Sequence, residues 1–529
     1  MANAQRWAAR IEPRETVYRM APLMLGRPQV RDGDRSGRVL AGMREFYEQP
    51  PGPLGDADPA ESALALFHDA AATVPAYADF LRSHGIDAAN VCTMDDFGRL
   101  PLLTKDTYQR RYPLPELCRD GRLDACDMVA VSSGSSGTPT VWPRSVLDER
   151  AVAARFEQVF HGSFRADERR TLAVICFALG SWVGGMYTAA CCRHLAAKGY
   201  PITLVTPGND IGEILRVLPE LGPYADQVVL LGYPPFLKNV IDTGVARGVD
   251  WSRYSVKLVL AGEVFSEQWR DLVGRRAGMG QPLLDSASLY GTADAGVLGT
   301  ETPLSIAVRR FLARTPSAAR ELFGEDRLPT LVQYDPSTRY FETSDGTLLF
   351  SADGAVPLVR YHIADEGGLV GYDEMLRFCA GHGFDPVAEV RRVSDRGAPP
   401  LPFGYVFGRS LFTVSFFGAN VYPENVTVGL EQAAVSEWVT GKFVLDVVED
   451  ADAERRLRVI VELAPGVGPE PTREPVLAES IRTELLRLNS EFAHYVPEGY
   501  QTPLIELRET GDPEFFPPGV KHRYTRPPR

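Results

Sequence analysis

Short apolar runs alternate with helical periodicity along most of the chain. From Ala60 to Arg82 apolar residues recur at helical spacing (Ala63, Leu66, Phe67, Ala70, Val74), which predicts an amphipathic helix. Within Leu100-Pro-Leu-Leu-Thr-Lys-Asp106, Thr104 reads as a helix cap before Lys105–Tyr108. Leu147–Phe160 carries a helical pattern, and the apolar continuity of Leu172–Ala178 predicts a buried strand. Gly180–Gly185 breaks the chain before a small-residue helix through Cys192. Ile202–Thr206 and Gln227–Leu231 read as strands, with helices over Ile211–Leu218 and Pro235–Thr243. Val256–Leu260 is a strand ending at Ala261-Gly262-Glu263, followed by a helix over Ser266–Gly274. This rhythm predicts an α/β domain with a largely parallel sheet and no short repeat.

The pattern then changes. Ser286–Gly299 is dense in glycine and polar residues. Leu331–Tyr334, Arg339–Thr343 and Thr347–Ser351 read as short strands of a small β subdomain, closed by Pro357–Asp365. Gly404–Ser410, after the loop-like Arg396–Pro402, is the best domain boundary. Beyond it a strand (Leu411–Phe417), a helix (Pro423–Ala434), two strands joined by an Asp450–Glu454 turn, a helix (Val476–Phe492) and a strand (Leu504–Glu509) make a small α+β module. Residues 1–56 are rich in Arg and Pro and predict an irregular arm over the first domain. The expected units are residues 1–407 and 408–529.

Composition narrows the class. A chain of 529 residues exceeds one core, and a net charge of −13 without a basic run argues against a nucleic-acid surface. Seven cysteines, an odd count with no C-x-x-C pair, argue against a disulfide framework or zinc knuckle. The longest apolar runs are too short to span a bilayer, and Met1–Arg10 lacks a signal-peptide core. The expectation is a soluble cytoplasmic protein with neither a nucleic-acid nor a membrane partner.

One stretch stands out chemically: Ser132-Ser133-Gly134-Ser135-Ser136-Gly137-Thr138, placed after the apolar run Met128–Val131. Gly134 and Gly137 accept positive φ at little steric cost, and Pro139 fixes the exit. Successive N–H groups and hydroxyls would then form a concavity suited to phosphate oxygens. By composition alone the same stretch also reads as a flexible linker.

The remaining motifs weigh on that choice. In order come Gly262-Glu263, Tyr290-Gly291-x-x-Asp294, Arg360-Tyr-x-x-x-Asp365, Gly408-Arg409 and the terminal Gly519-Val-Lys521-His-Arg523. Together with the Ser/Gly loop they resemble the adenylate-forming (AMP-forming acyl-CoA synthetase) superfamily, and within it the phenylacetate–CoA ligase-like branch. The most branch-like stretches are Leu100–Lys105, Ser132–Thr140, Pro357–Asp365 and Gly408–Pro423. The resemblance implies an α/β fold, a large N-terminal domain with mixed, largely parallel sheets plus a small mobile α+β lid.

It also implies activation of a carboxylic acid by ATP, then transfer of the acyl group to CoA. A carrier-protein thiol, an amine, or a non-catalytic ligand-binding role are the alternatives. By resemblance Ser132–Thr138 would hold the β and γ phosphates, Tyr290 would face adenine, and Asp294 would reach Mg²⁺. Asp365 would accept the ribose hydroxyls, Arg409 would lie near sugar or phosphate, and Lys521 would bridge carboxylate and α-phosphate. Phe177, Trp182 and Tyr233 are expected to line a pocket for an aromatic or mid-sized acid. Glu263 reads as a strand-end acid bracing the site, and Lys105 as the partner of Glu116 or another acid.

Four positions depart from the family pattern: Ala293 replaces a hydroxyl, Leu411 the hinge aspartate, Ile363-Ala364 a Thr-Gly, and Thr140 a loop lysine. Lys521 is one of only six lysines in an arginine-rich chain, which points to a need for a compact ammonium there.

Overall fold

The computed structural model describes residues 35–52, 58–132, 140–181, 183–262, 265–324, 328–396, 399–409, 414–421, 423–430, 432, 434–449, 453–464, 466–516 and 525. Two strands, β1 (Met128–Ser132) and β2 (Thr140–Arg144), pair as an antiparallel hairpin. Eleven more build a single sheet: β3 (Thr171–Ile175), β4 (Ile202–Val205), β5 (Gln227–Gly232), β6 (Val256–Ala261), β7 (Ser286–Thr292), β8 (Gly296–Thr300), β9 (Thr330–Gln333), β10 (Arg339–Ser344), β11 (Thr347–Ala352), β12 (Leu358–Val370) and β13 (Phe403–Arg409).

The sheet order is β10-β11-β12-β13-β9-β8-β7-β6-β5-β3-β4. From β4 to β7 every pairing is parallel, as the apolar runs with intervening helices require. From β7 to β10 every pairing is antiparallel. The strands expected to form a separate β subdomain are thus the antiparallel half of the same sheet. Continuity comes from β13, which pairs with both β9 and β12 and lies in the stretch read as a boundary. Gly404–Ser410 therefore contributes the last strand of the large sheet.

Two further differences have physical causes. Inside the arm expected to be irregular, Arg35–Glu48 is a helix, held by tertiary contact rather than its own weak periodicity. Phe46 is buried beneath Lys198, whose ammonium lies 4.5 Å from the ring centroid, and Tyr47 Oη lies 2.9 Å from His194 Nδ1. The helix expected over Ala60–Arg82 is two helices, Pro59–Thr73 and Pro75–Ser83, because Pro75 lacks an N–H and starts a new one.

Ser286–Gly299 supplies β7 and β8 despite its polarity, since its polar groups are satisfied inside. Arg270 donates to Ser286 Oγ at 2.7 Å and to Glu301 Oε1 at 2.7 Å, while Ser288 N donates to Glu301 Oε2 at 2.8 Å. Glu267 joins this buried network through Arg270 and Arg309. Burial pushes the Glu267 carboxyl up, but Arg270, Arg309 and Arg310 outweigh it and hold it at about 2.

After β13 the chain builds a second core. A short hairpin, β14 (Val414–Phe416) and β15 (Ala419–Val421), precedes a three-stranded sheet of β16 (Val439–Glu449), β17 (Arg455–Leu463) and β18 (Leu504–Arg508). Phe416, Val426, Phe443, Val459, Ile481 and Leu485 pack together there as a cluster of their own. Among the described residues no helix is long and apolar enough to cross a membrane.

Strand β12 carries two residues with left-handed backbone, Arg360 (φ 48°) and Ala364 (φ 61°), on either side of Tyr361. A non-glycine residue in that region costs roughly 1–2 kcal/mol, against a chain-entropy cost for glycine of about 0.4–1 kcal/mol. Ala364→Gly is therefore expected to leave stability unchanged or raise it by up to about 1 kcal/mol in denaturant unfolding. A loss of more than about 1 kcal/mol would contradict this account of β12.

Candidate functional site

Several of the candidate residues lie at the carboxyl ends of neighbouring parallel strands. Phe177 follows β3, Tyr233 follows β5, Gly262 follows β6, and Tyr290 and Gly291 stand in the last turn of β7. Open α/β sheets bind ligands along that edge, where the strand pattern switches. Here the switch is β7, which is parallel to β6 and antiparallel to β8.

Asp294 sits in the turn between β7 and β8 and is only 1% exposed. Its Oδ2 accepts a hydrogen bond from Tyr361 Oη at 2.8 Å, and its Oδ1 faces Lys105 Nζ at 3.3 Å. The turn is pinned from behind by two buried arginines. Arg144 Nη2 donates to the Ala293 carbonyl and Arg339 Nη2 to that of Ala295, the latter at 3.4 Å. Burial lowers the Arg339 pKa, nearby Tyr187 raises it and Arg155 lowers it further.

Lys105 reaches Asp294 because its segment is stitched to β12. Leu103 N donates to the Arg360 carbonyl at 3.2 Å, and His362 N donates to the Leu103 carbonyl at 2.8 Å. Thr104 then caps the Lys105–Gln109 turn, exchanging hydrogen bonds with Thr107 as a capping box. The acid that Lys105 meets is thus Asp294 rather than Glu116.

On the neighbouring strand Tyr290 Oη donates to Asp365 Oδ2 at 2.7 Å, and Asp365 is largely buried. The backbone of Asp365 pairs with that of Arg409 across β12 and β13. Tyr290, expected along an adenine face, and Asp365, expected at a ribose, therefore form one unit.

The strands flanking the Ser/Gly stretch, β1 and β2, pair up to Ser132 and Thr140. Val131 N donates to the Ser181 carbonyl at 2.9 Å, and Trp142 of β2 packs edge-on against Tyr361 at 6.2 Å. This seats the hairpin beside the Asp294 turn. Ser133–Thr138, Trp182, Glu263 and Lys521 lie outside the described residues.

On the acid-pocket side, Phe177 meets Tyr233 edge to face, with centroids 5.0 Å apart and planes at 87°. A Cβ at Gly262 (φ 89°) would come within 2.7 Å of the Tyr233 ring, so glycine is required there on two counts.

Sequence reasoning missed Tyr361 as the cap of Asp294 and Tyr495 as a neighbour of Tyr233. The scarcity of lysine was a usable signal for Lys105: all five described lysines pair with a carboxylate. No sequence signal marks Tyr495, whose contact is made only by folding.

No protein-family model matches the sequence, and no curated protein matches it significantly. Solved structures do. A 2-hydroxyisobutyryl-CoA ligase, in complex with 2-HIB-AMP and CoA in its thioesterification state, aligns over 94% of each chain with a TM-score of 0.60 and 13% identity. The same ligase in its postadenylation state aligns over 93% of this chain and 90% of its own, with a TM-score of 0.51 and 13% identity. The amide bond synthetase McbA from Marinactinospora thermotolerans aligns over 90% of each chain at 17% identity with a TM-score of 0.43. The chain thus shares the fold of that CoA ligase over 94% of its length.

Proposed function

We propose that this chain is an ATP-dependent carboxylic acid ligase that makes an acyl-adenylate and passes the acyl group to CoA. The observation that carries the reading is the alignment of Phe177, Tyr233, Gly262 and Tyr290 along one sheet edge, with Asp365 and Asp294 beside them. In the first step a carboxylate oxygen attacks the α-phosphorus of ATP and pyrophosphate leaves. In the second a thiol attacks the acyl carbon, the C–O bond to AMP breaks and the thiol proton passes to solvent.

Each residue type suits its task. Ser132–Thr138 would offer N–H and hydroxyl donors to the leaving phosphates. Tyr290 and Asp365, already joined, suit a nucleoside: a ring for the base and an acceptor for the ribose hydroxyls, with Arg409 across the strand pair. Lys521 supplies the point charge for carboxylate and α-phosphate, and Glu263 braces the strand end. Phe177, Trp182 and Tyr233 form the aromatic side of the acid pocket.

Among the described residues no group of three His, Cys, Asp or Glu could hold a metal ion unaided. One carboxylate plus substrate phosphates is an ordinary Mg²⁺ environment. Asp294 as placed does not fit that role: it is 1% exposed, its Oδ2 is held by Tyr361 and its Oδ1 faces the Lys105 ammonium. Lys105, 3.3 Å from Oδ1, and Tyr361 on Oδ2 orient the buried Asp294 carboxylate.

The superposition is better on the thioesterification state than on the postadenylation state of the same ligase, which supports an acceptor-step arrangement of the fold here. The chain is read as acting in the cytoplasm, on small molecules and CoA.

Acid-dependent ATP–pyrophosphate exchange over aromatic, amino and aliphatic acids tests the reading. Exchange is expected with at least one acid and is expected to fall about 100-fold or more in Lys521→Ala, as for loss of a transition-state charge contact. Near-normal exchange in that variant would refute the role given to Lys521. A double-mutant cycle over Lys105→Met and Asp294→Asn is expected to show a stability coupling of about 1–3 kcal/mol. Effects that add to within about 0.5 kcal/mol would mean the pair is not a functioning unit.

A further inference from the structure

Among the described residues, three elements after β13 approach the first core close to Tyr233 and the helix it opens, Pro234–Ala246. The first is the β14–β15 turn. Phe417 and Gly418 both have positive φ (53° and 82°), the signature of a tight primed turn. Phe417 endures that backbone because it is buried against Tyr500, with centroids 4.8 Å apart. The turn thereby presents Gly418 to Tyr233, where an added Cβ would stand 2.6 Å from the ring. Gly262 makes the matching approach on the sheet side, and its added Cβ would be 3.9 Å from the Gly418 Cα. The Tyr233 ring is thus pinched between a glycine from each core.

The second place is the helix Ser490–Tyr495. Tyr495 lies against Tyr233 with centroids 5.2 Å apart and planes at 33°, and Asn209 Nδ2 donates to the His494 carbonyl at 2.8 Å. Asn420 N donates to Glu491 Oε2 at 2.8 Å, which fixes this helix to the β14–β15 hairpin. The third is the β16–β17 turn, where Glu454 lies 3.9 Å from Lys238, one turn beyond Tyr233.

Tyr233 is therefore at once the wall of the acid pocket and the seat for the second core. We propose that Tyr495 is a positioning residue, a latch that docks the C-terminal unit on Tyr233 for the acyl-transfer step. The consequence for the reaction rests on the function proposed above; the docking itself does not. The latch is aromatic and uncharged, and an aromatic pair of this kind is strong enough to bias two arrangements about tenfold without locking either.

The test uses the full chain and zero-length carbodiimide coupling, read by mass spectrometry. Lys238 has two carboxylates to join: Glu454 of the C-terminal unit at 3.9 Å, and Asp242 on its own helix at 2.7 Å as internal reference. Tyr495→Ala is expected to lower the ratio of Glu454 to Asp242 links about tenfold, with Tyr495→Phe intermediate. Acyl transfer to CoA is expected to slow by a similar factor while ATP–pyrophosphate exchange is unchanged. An unchanged link ratio in Tyr495→Ala overturns the latch. A fallen ratio with unchanged transfer overturns its role in the acceptor step. A fallen ratio in protein that exchanges with no acid upholds the latch and refutes the proposed function instead.

Discussion

Asp294, 1% exposed, is held in the interior by groups from two distant segments. Tyr361 comes from the long strand β12 and Lys105 from a capped turn nearly 200 residues earlier in sequence than Asp294. For these to meet, the Leu100–Lys105 stretch must be hydrogen-bonded to β12, and β12 must bend around Tyr361 through two left-handed residues. The arginines behind the turn hold its carbonyls, and Arg144 lies 4.0 Å from the buried Asp148. The Asp294 junction is thus where the parallel half of the sheet, the antiparallel half and the N-terminal segment are tied together.

That junction also explains why the candidate residues lie where they do. β7 ends in the Asp294 turn because the sheet changes direction there, β8 returning antiparallel. Strands β3, β5 and β6 deliver their aromatic and glycine residues to the same edge from the other side. The second core then seats on that edge through small residues, Gly262 and Gly418, which bring two backbones against one ring. The ring that Phe177 buttresses from the sheet side is the ring on which Tyr495 and Gly418 pack.

Much of this was legible in the sequence. The parallel half was readable because buried strands flanked by helices are written as apolar runs, and β3, β5 and β6 fall close to where the pattern puts them. Thr104 was readable as a cap because capping chemistry is local. The antiparallel half was harder: β7 is written Ser-Ala-Ser-Leu-Tyr-Gly-Thr, and its burial depends on Arg270 and Glu301 from elsewhere. The helix Arg35–Glu48 gives a weak signal for the same reason. Within the site, the order of motifs pointed to Tyr290, Asp294 and Asp365, but not to their pairing with one another, Tyr361 or Lys105. Pairings across 67 to 260 residues are set by sheet order, which no local pattern records.

The central claim is that the β7 edge is a nucleotide site built on the Tyr290–Asp365 pair. Isothermal titration of ATP into the unmodified protein and into Asp365→Ala tests it most directly. The account predicts saturable binding that weakens at least about tenfold in the variant, as expected when a buried acceptor for ribose hydroxyls is removed. Equal affinity in both proteins, or no binding to either, would contradict it.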